Sequence, residues 1–246
     1  MLINELSWAF MGQYLILGCV IAVAAFLQGV GGVGFAMFAA PVAAVFFPAL
    51  VPGPLLALGG SVSLLTALRE RHHILPGVVT AAFSTRLIGT VLAVIGMTQL
   101  SKSALELLFG TFILIAVLLS ISGLRIAPNY KNMSIAGLSS GIMGTLTSVG
   151  APPLAIAMQN LSPVNLRASL GATLFLGASA SVIGLSIAGL FTRYEAMLSA
   201  MLWPFMLLGF FLSNKARHVV SAKAIKRLLL SVCSISAVGL IIKGLF

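Results

Sequence analysis

Residues 26–34 read FLQGVGGVG. Gly29, Gly31 and Gly34 stand there in the order G-x-G-x-x-G, the spacing of a dinucleotide-binding turn. Such a turn needs a short strand before it and an acidic residue about 20 positions after it. Here LILGCVIAVAAF (15–26) precedes the glycines as part of a helix-length apolar run, and the next acidic residue is Glu70. The glycines interrupt an apolar helix; they do not open a nucleotide fold.

The composition around the stretch agrees. Of 246 residues, 60% are hydrophobic and 7% charged. A soluble domain carries roughly 25% charged residues. So few charges leave no water-facing coat, and the chain needs a lipid bilayer as its solvent. Each crossing takes about 20 apolar residues. Cys19 and Cys233 lie in apolar runs near opposite ends of the chain and suggest lipid- or core-packed thiols, not a disulfide or a metal pair. The start, MLINELSWAF, has no basic n-region and is read as mature protein.

Ten apolar segments follow, over about 8–28, 35–48, 53–68, 75–98, 103–124, 133–145, 150–161, 166–191, 195–213 and 224–245. Several are shorter than a full crossing. The pairs flanking 28–34 and residue 148 suit half-helices that meet inside the membrane. The loops RERHHILP (69–76) and RIAPNYKN (125–132) carry Arg69, Arg71, Arg125 and Lys131, and a last cluster holds Lys215, Arg217, Lys223, Lys226 and Arg227. Positive loops face the cytoplasm. That puts Arg167 inside, Lys102, Arg193, Glu195 and Lys243 on the other face, and the N-terminus with Glu5 outside. The net charge of +10 is thus a topology signal and not a nucleic-acid surface.

The chain also repeats itself. At a shift of 112, Gly29-x-x-Gly32 with Pro41 falls on Gly141-x-x-Gly144 with Pro153, Gly59 on Gly171, and Ser61 on Thr173. At a shift of 120, Gly89 falls on Gly209 and LSKSALELL on VSAKAIKRL. Five segments per copy invert the second relative to the first. The expected fold is an all-α integral membrane protein of about 8–10 membrane segments, some broken or re-entrant. It forms a single transporter domain, with repeat 1 over about 8–124 and repeat 2 over about 133–246.

In that plan, substrate sits at broken helices near the midplane. The breaks are QGVGGVG (28–34) and GTLTSVG (144–150). Half-helices starting near Phe35 and Ala151 would aim N–H groups at the breaks, where anions are favoured. This makes Gln28, Gly29, Gly31, Gly32, Gly34, Thr145, Thr147, Ser148 and Gly150 candidate substrate ligands. Close packing by small residues is the alternative. Arg86, about mid-way along the fourth segment (75–98) in AAFSTRLIGT, is the sharpest single candidate. A charge there costs about 2.5–3.5 kcal/mol or more, and so faces a cavity or a partner. Its repeat counterpart, near Met206, is apolar. Ser61 and Thr173 are paired hydroxyl candidates, with helix–helix hydrogen bonding as the alternative. Ser84 and Thr85 are weaker ones. His72 and His73 suit a basic loop better than a proton relay. Trp8 and Trp203 suit interface anchors or packing.

The first copy, FLQGVGGVGFAMFAAPVAAVFFPALVPGPLLALGGSVSLLTALRERHHI, and its second, GLSSGIMGTLTSVGAPPLAIAMQNLSPVNLRASLGATLFLGASAS, together resemble the TauE/SafE family of sulfite exporters and sulfonate permeases. The resemblance spans nearly the whole chain. It implies a carrier of sulfur-containing or small organic anions in a bacterial inner membrane. The alternatives are an anion channel using the same turns or a non-transporting membrane partner; an enzyme would need acid, base or metal residues at depth. The expected partners are a small anion and the lipid bilayer, with a homodimer and a coupling proton left open. No nucleic acid, metal or cofactor is expected.

Overall fold

The computed structural model describes residues 2–122, 126–216 and 228–235, with side chains from residue 12 onward except that of Lys102. Expectations for Arg125, Arg217, Lys223, Lys226, Arg227 and Lys243, for most of the last segment and its match to LSKSALELL, and for the side chains of Glu5 and Trp8 fall outside those residues.

Regular structure among the described residues is helical. It comprises α1 (Leu2–Gly31), α2 (Phe35–Phe46), α3 (Gly53–Arg69), α4 (Pro76–Gln99), α5 (Lys102–Ile121), α6 (Tyr130–Thr147), α7 (Ala151–Ala157), α8 (Pro163–Ile187) and α9 (Arg193–Ala216). A further helical stretch covers 228–235. The boundaries follow local chemistry. Pro76 and Pro163 open α4 and α8, where a missing N–H costs nothing. Ser101, Asn129 and Ser162 accept bonds from the first-turn N–H groups of α5, α6 and α8. Among the described residues, five helices are long and apolar enough to cross a bilayer: α4, α8, α9, and α1 and α5 over Gly12–Gly31 and Ser103–Ile121. Large apolar side chains point outward along them, among them Ile88, Val91, Leu92 and Ile95 on α4 and Leu208, Phe211 and Leu212 on α9. Only a lipid solvent suits that surface, and the chain is an all-α, multi-pass membrane protein.

Small residues hold the bundle together. On the α4–α6 seam, a Cβ on Gly137 would overlap the Ala82 carbonyl, one on Gly89 the Leu138 carbonyl, and one on Gly141 the Arg86 carbonyl. On the α1–α9 seam, a Cβ on Gly209 would overlap the Ala22 carbonyl. Without a hydrophobic drive between helices in lipid, such close backbone packing is what associates them. Gly141→Leu is therefore expected to part α4 from α6 at about 1–3 kcal/mol. It should read as a lower melting temperature in detergent; an unchanged melt would contradict the seam.

The helix pairings are preserved when the halves are exchanged. α1 packs on α9 as α6 packs on α4; α3 packs on α8; α3 touches α9 as α8 touches α4; α1 meets α2 as α6 meets α7. Between α5 and α7 there is contact, and the stretch 228–235 meets α2 through the Cys233 thiol, which donates to the Met37 carbonyl.

The two breaks lie where expected but are shorter than their glycine runs. α1 continues through Gln28, Gly29 and Gly31, and the chain turns only over Gly32–Gly34, with φ of 76° at Gly32 and 135° at Gly34. No L side chain adopts these angles readily. Gly29 is a packing residue: a Cβ there would overlap the Ser213 hydroxyl. At the second break, Thr145 and Thr147 are still helical, and the left-handed residue is Ser148 (φ 66°), not a glycine. Its hydroxyl donates to the Pro52 carbonyl at 3.0 Å, while Val149 N–H donates to Thr147 Oγ1 at 3.1 Å. Gly150 has φ −95° and serves a close approach instead, since a Cβ would sit 2.9 Å from the Ser140 carbonyl.

Candidate functional site

A cavity of about 40 Å³ lies beside the first break, room for about three waters. Its polar lining is Gln28, Ser63, Arg86 and Ser148; Phe35, Leu55, Leu56, Val149, Leu174 and Ala178 are the main apolar walls. Four of the residues expected at a site therefore reach it: Gln28, Gly34, Arg86 and Ser148.

Arg86 enters from α4 and is 2% exposed. Nη1 donates to the Ser140 hydroxyl, which in turn donates to the Gly150 carbonyl at 2.5 Å. Nε is buried and has no acceptor among the described residues. No carboxylate is among the described residues that line the cavity. The cation is thus oriented by a neutral hydroxyl but not neutralised. An unpaired charge at this depth is the feature that membrane proteins keep for function. Space for the guanidinium comes from α8 and α6: a Cβ on Gly177 of α8 would coincide with Nε, and one on Gly144 of α6 would stand 3.2 Å from Nη2.

Gln28 anchors the opposite wall. Its Oε1 accepts from Phe35 N–H at 3.1 Å, and its Nε2 donates to Ser63 Oγ at 2.9 Å. Ser63 passes its own proton to the Gly59 carbonyl at 2.7 Å. A side chain of α1 thereby caps the first N–H of α2 across the break. The next two N–H groups, of Ala36 and Met37, have no backbone acceptor among the described residues, because the break removes the preceding turn. Both residues line the cavity. Arg86 and the open turn of α2 therefore face one small space with the same sign of potential.

The second break is unlike the first. α7 is seven residues long and starts Ala151-Pro152-Pro153. Two of its first three positions have no N–H to offer. The expected second set of donors near Ala151 is replaced by proline.

Other expected residues lie elsewhere. Gly29 and Gly31 remain in α1, and Gly32 lies against Arg167. Thr145 belongs to a buried hydroxyl cluster, 2.8 Å from Ser181 Oγ and 3.3 Å from Thr90 Oγ1. Thr147 and Thr173 return their protons to the carbonyls of Met143 and Ser169. Ser61 donates to the Ala57 carbonyl and accepts from Trp203 Nε1 at 3.2 Å, away from the cavity. Ser84 and Thr85 bond to carbonyls of α4, and Thr85 also to the Ser134 carbonyl. His72 and His73 are exposed in a short 3-10 turn.

Three residues of this candidate site escaped sequence reasoning. Ser63 is in register with Leu56, Gly59 and Gly60 on the cavity face of α3, so the helical period after Gly59 points to it. Ser140 lies 112 positions after Gln28, at the shift that aligns the two copies. Gly177 left no local signal; its role appears only against Arg86.

The family model described as Sulfite exporter TauE/SafE matches residues 17–240. Neither a curated protein nor a solved structure matches the chain.

Proposed function

The chain belongs to the TauE/SafE sulfite exporter family, and from that premise we propose that it carries a small sulfur-containing or organic anion across the membrane by alternating access. The observation that carries the reading is the buried guanidinium of Arg86, held by Ser140 without a carboxylate partner, facing a cavity that also receives open N–H groups of α2. An anion supplies the missing charge. Gln28 and Ser63 hold the donor frame, and Ser148 closes the far side.

The exchange of helix pairings between the halves supports two inverted five-helix repeats, with the broken pairs α1–α2 and α6–α7 meeting near the bilayer midplane. Arg69 and Arg71 in the loop after α3 support a cytoplasmic position for that loop and an outside N-terminus. The lining favours a compact monoanion over a bulky solute: one cation faces the space and most of the wall is apolar.

The test is a melting panel on purified protein with sulfite, sulfate, thiosulfate, methanesulfonate, carboxylates and chloride. A ligand specific to the folded state, at 100 times its Kd, adds about 2.7 kcal/mol. A shift with a sulfur oxyanion supports the site. A shift only with amines or neutral solutes overturns it. Counterflow in proteoliposomes then separates the carrier from a channel, which conducts without exchange.

A further inference from the structure

A second, larger cavity of about 650 Å³ lies on the other side of the first break, lined by Gly29, Val30, Arg69, Glu70, Val164, Arg167 and Asn214. The break separates the two spaces: Gly29 faces this vestibule and Gly34 the Arg86 cavity. Across the break lies Arg167. A Cβ on Gly32 would overlap its Cγ and come within 2.9 Å of its Cδ. Glycine at 32 thus serves twice, for its positive φ and for the space that the arginine stem fills.

Arg167 is fixed by Glu70. Nε donates to Oε1 at 3.0 Å and Oε2 at 3.1 Å, and Nη2 to Oε1 at 2.6 Å. The carboxylate side chain is 9% exposed and the guanidinium side chain 23%. A fork of this kind, largely out of water, is the strong form of an ion pair. It joins the end of α3 to the start of α8, the two helices whose Leu55, Leu56, Ser63, Leu174 and Ala178 wall the Arg86 cavity.

At the shift of 112, Arg167 corresponds to Leu55 and Glu70 to Val182. Leu55 is fully buried against the cavity, and Val182 packs with Leu56 and Leu185. The same two helices are therefore closed by a charge pair at one end and by aliphatic contact at the other.

We propose that Glu70–Arg167 is the gate between the Arg86 cavity and the vestibule. It is shut in this structure and opens when α3 and α8 part at that end. The anion leaving Arg86 then meets Arg167, which has exchanged Glu70 for it. The gate rests on the carrier reading above.

The test is thiol accessibility in membrane vesicles of both orientations, with Cys19→Ser and Cys233→Ala as the background. Ala36→Cys reports on the cavity and Val164→Cys on the vestibule. A membrane-impermeant thiosulfonate should label Ala36→Cys slowly from the vestibule side. Glu70→Gln should speed that labelling by about tenfold or more, since tenfold needs only the loss of one such charge-assisted bond. Val164→Cys should be little changed, and the exchange Glu70→Arg with Arg167→Glu should restore the slow rate. If Glu70→Gln does not fold, Glu70→Cys with Arg167→Cys replaces it: slow labelling when cross-linked, fast when reduced. Equal rates in both states, or acceleration from the opposite face, overturn the gate. Protection of Ala36→Cys by methanesulfonate reads the anion site separately. Labelling that follows Glu70 but is not slowed by this or any other sulfur oxyanion retains the gate and overturns the anion reading.

Discussion

Arg86→Met is expected to abolish the anion-dependent melting shift and transport while leaving the ligand-free protein as stable as before, or more so. The two effects have different causes. In the ligand-free state the guanidinium is buried with a neutral partner and one unpartnered N–H. Its desolvation is not repaid, and an apolar side chain of similar length removes that penalty. With an anion bound, the same group makes a charge-assisted contact worth about 1.5–3 kcal/mol, so its loss weakens binding by roughly 10- to 150-fold. Arg86→Lys should fall between: the charge is kept, but the planar fork that reaches Ser140 and the cavity together is lost. The check is a melting curve of each variant with and without the anion selected by the panel. A purely structural Arg86 predicts the opposite result, with lower ligand-free stability and an unchanged anion shift. That outcome would sink the site.

Gly177→Ala has the next largest expected effect, from the addition of one methyl group. The new Cβ would occupy the place of Arg86 Nε, with Cδ and Cζ also inside contact distance. The guanidinium cannot swing far, because α6 closes behind it at Gly144. Overpacking of this kind costs about 1–3 kcal/mol, and the displaced cation should lose its contact with Ser140. We expect a lower melting temperature together with loss of the anion shift. In the Arg86→Ala background the same methyl meets open space, and its cost should largely vanish. The double-mutant cycle should therefore show coupling of about 1–3 kcal/mol, in the range for residues in direct contact. Additive effects would place the two side chains apart and contradict the packing.

The helices were legible in the sequence because their ends are marked by residues with one physical role. Pro76 and Pro163 start helices, and PALVPGP and RERHHILP end them. The first nine apolar segments match the helices to within a few residues at most ends, though α7 stops at Ala157, short of the expected 161. Arg86 was legible because a charge inside an apolar run has few benign explanations. The turn itself was read too broadly. A glycine that needs a positive φ, such as Gly32, and one that needs a near neighbour, such as Gly29 against Ser213, look the same in a sequence. The repeat led to Ser61 by identity of position, whereas the cavity takes Ser63, two residues on and on the opposite side of α3. Thr145, Thr147 and Thr173 satisfy their hydroxyls on neighbouring groups, as polar side chains in lipid-solvated helices must. No local pattern says which hydroxyl is spent in this way.

The paired prolines after the second break bear on how the two copies divide the work. Arg86, Gln28, Ser63 and the open turn of α2 all belong to the first half. The second half opens its short helix with Pro152 and Pro153, which have no N–H to offer, and lines the cavity with Ser148, Val149, Ala151, Leu174 and Ala178. In the proposed cycle the anion would travel as cargo of one half, and the other would act as the wall it slides along. In that cycle only one half keeps the grip, and its counterpart helix is short: α7 has 7 residues where α2 has 12.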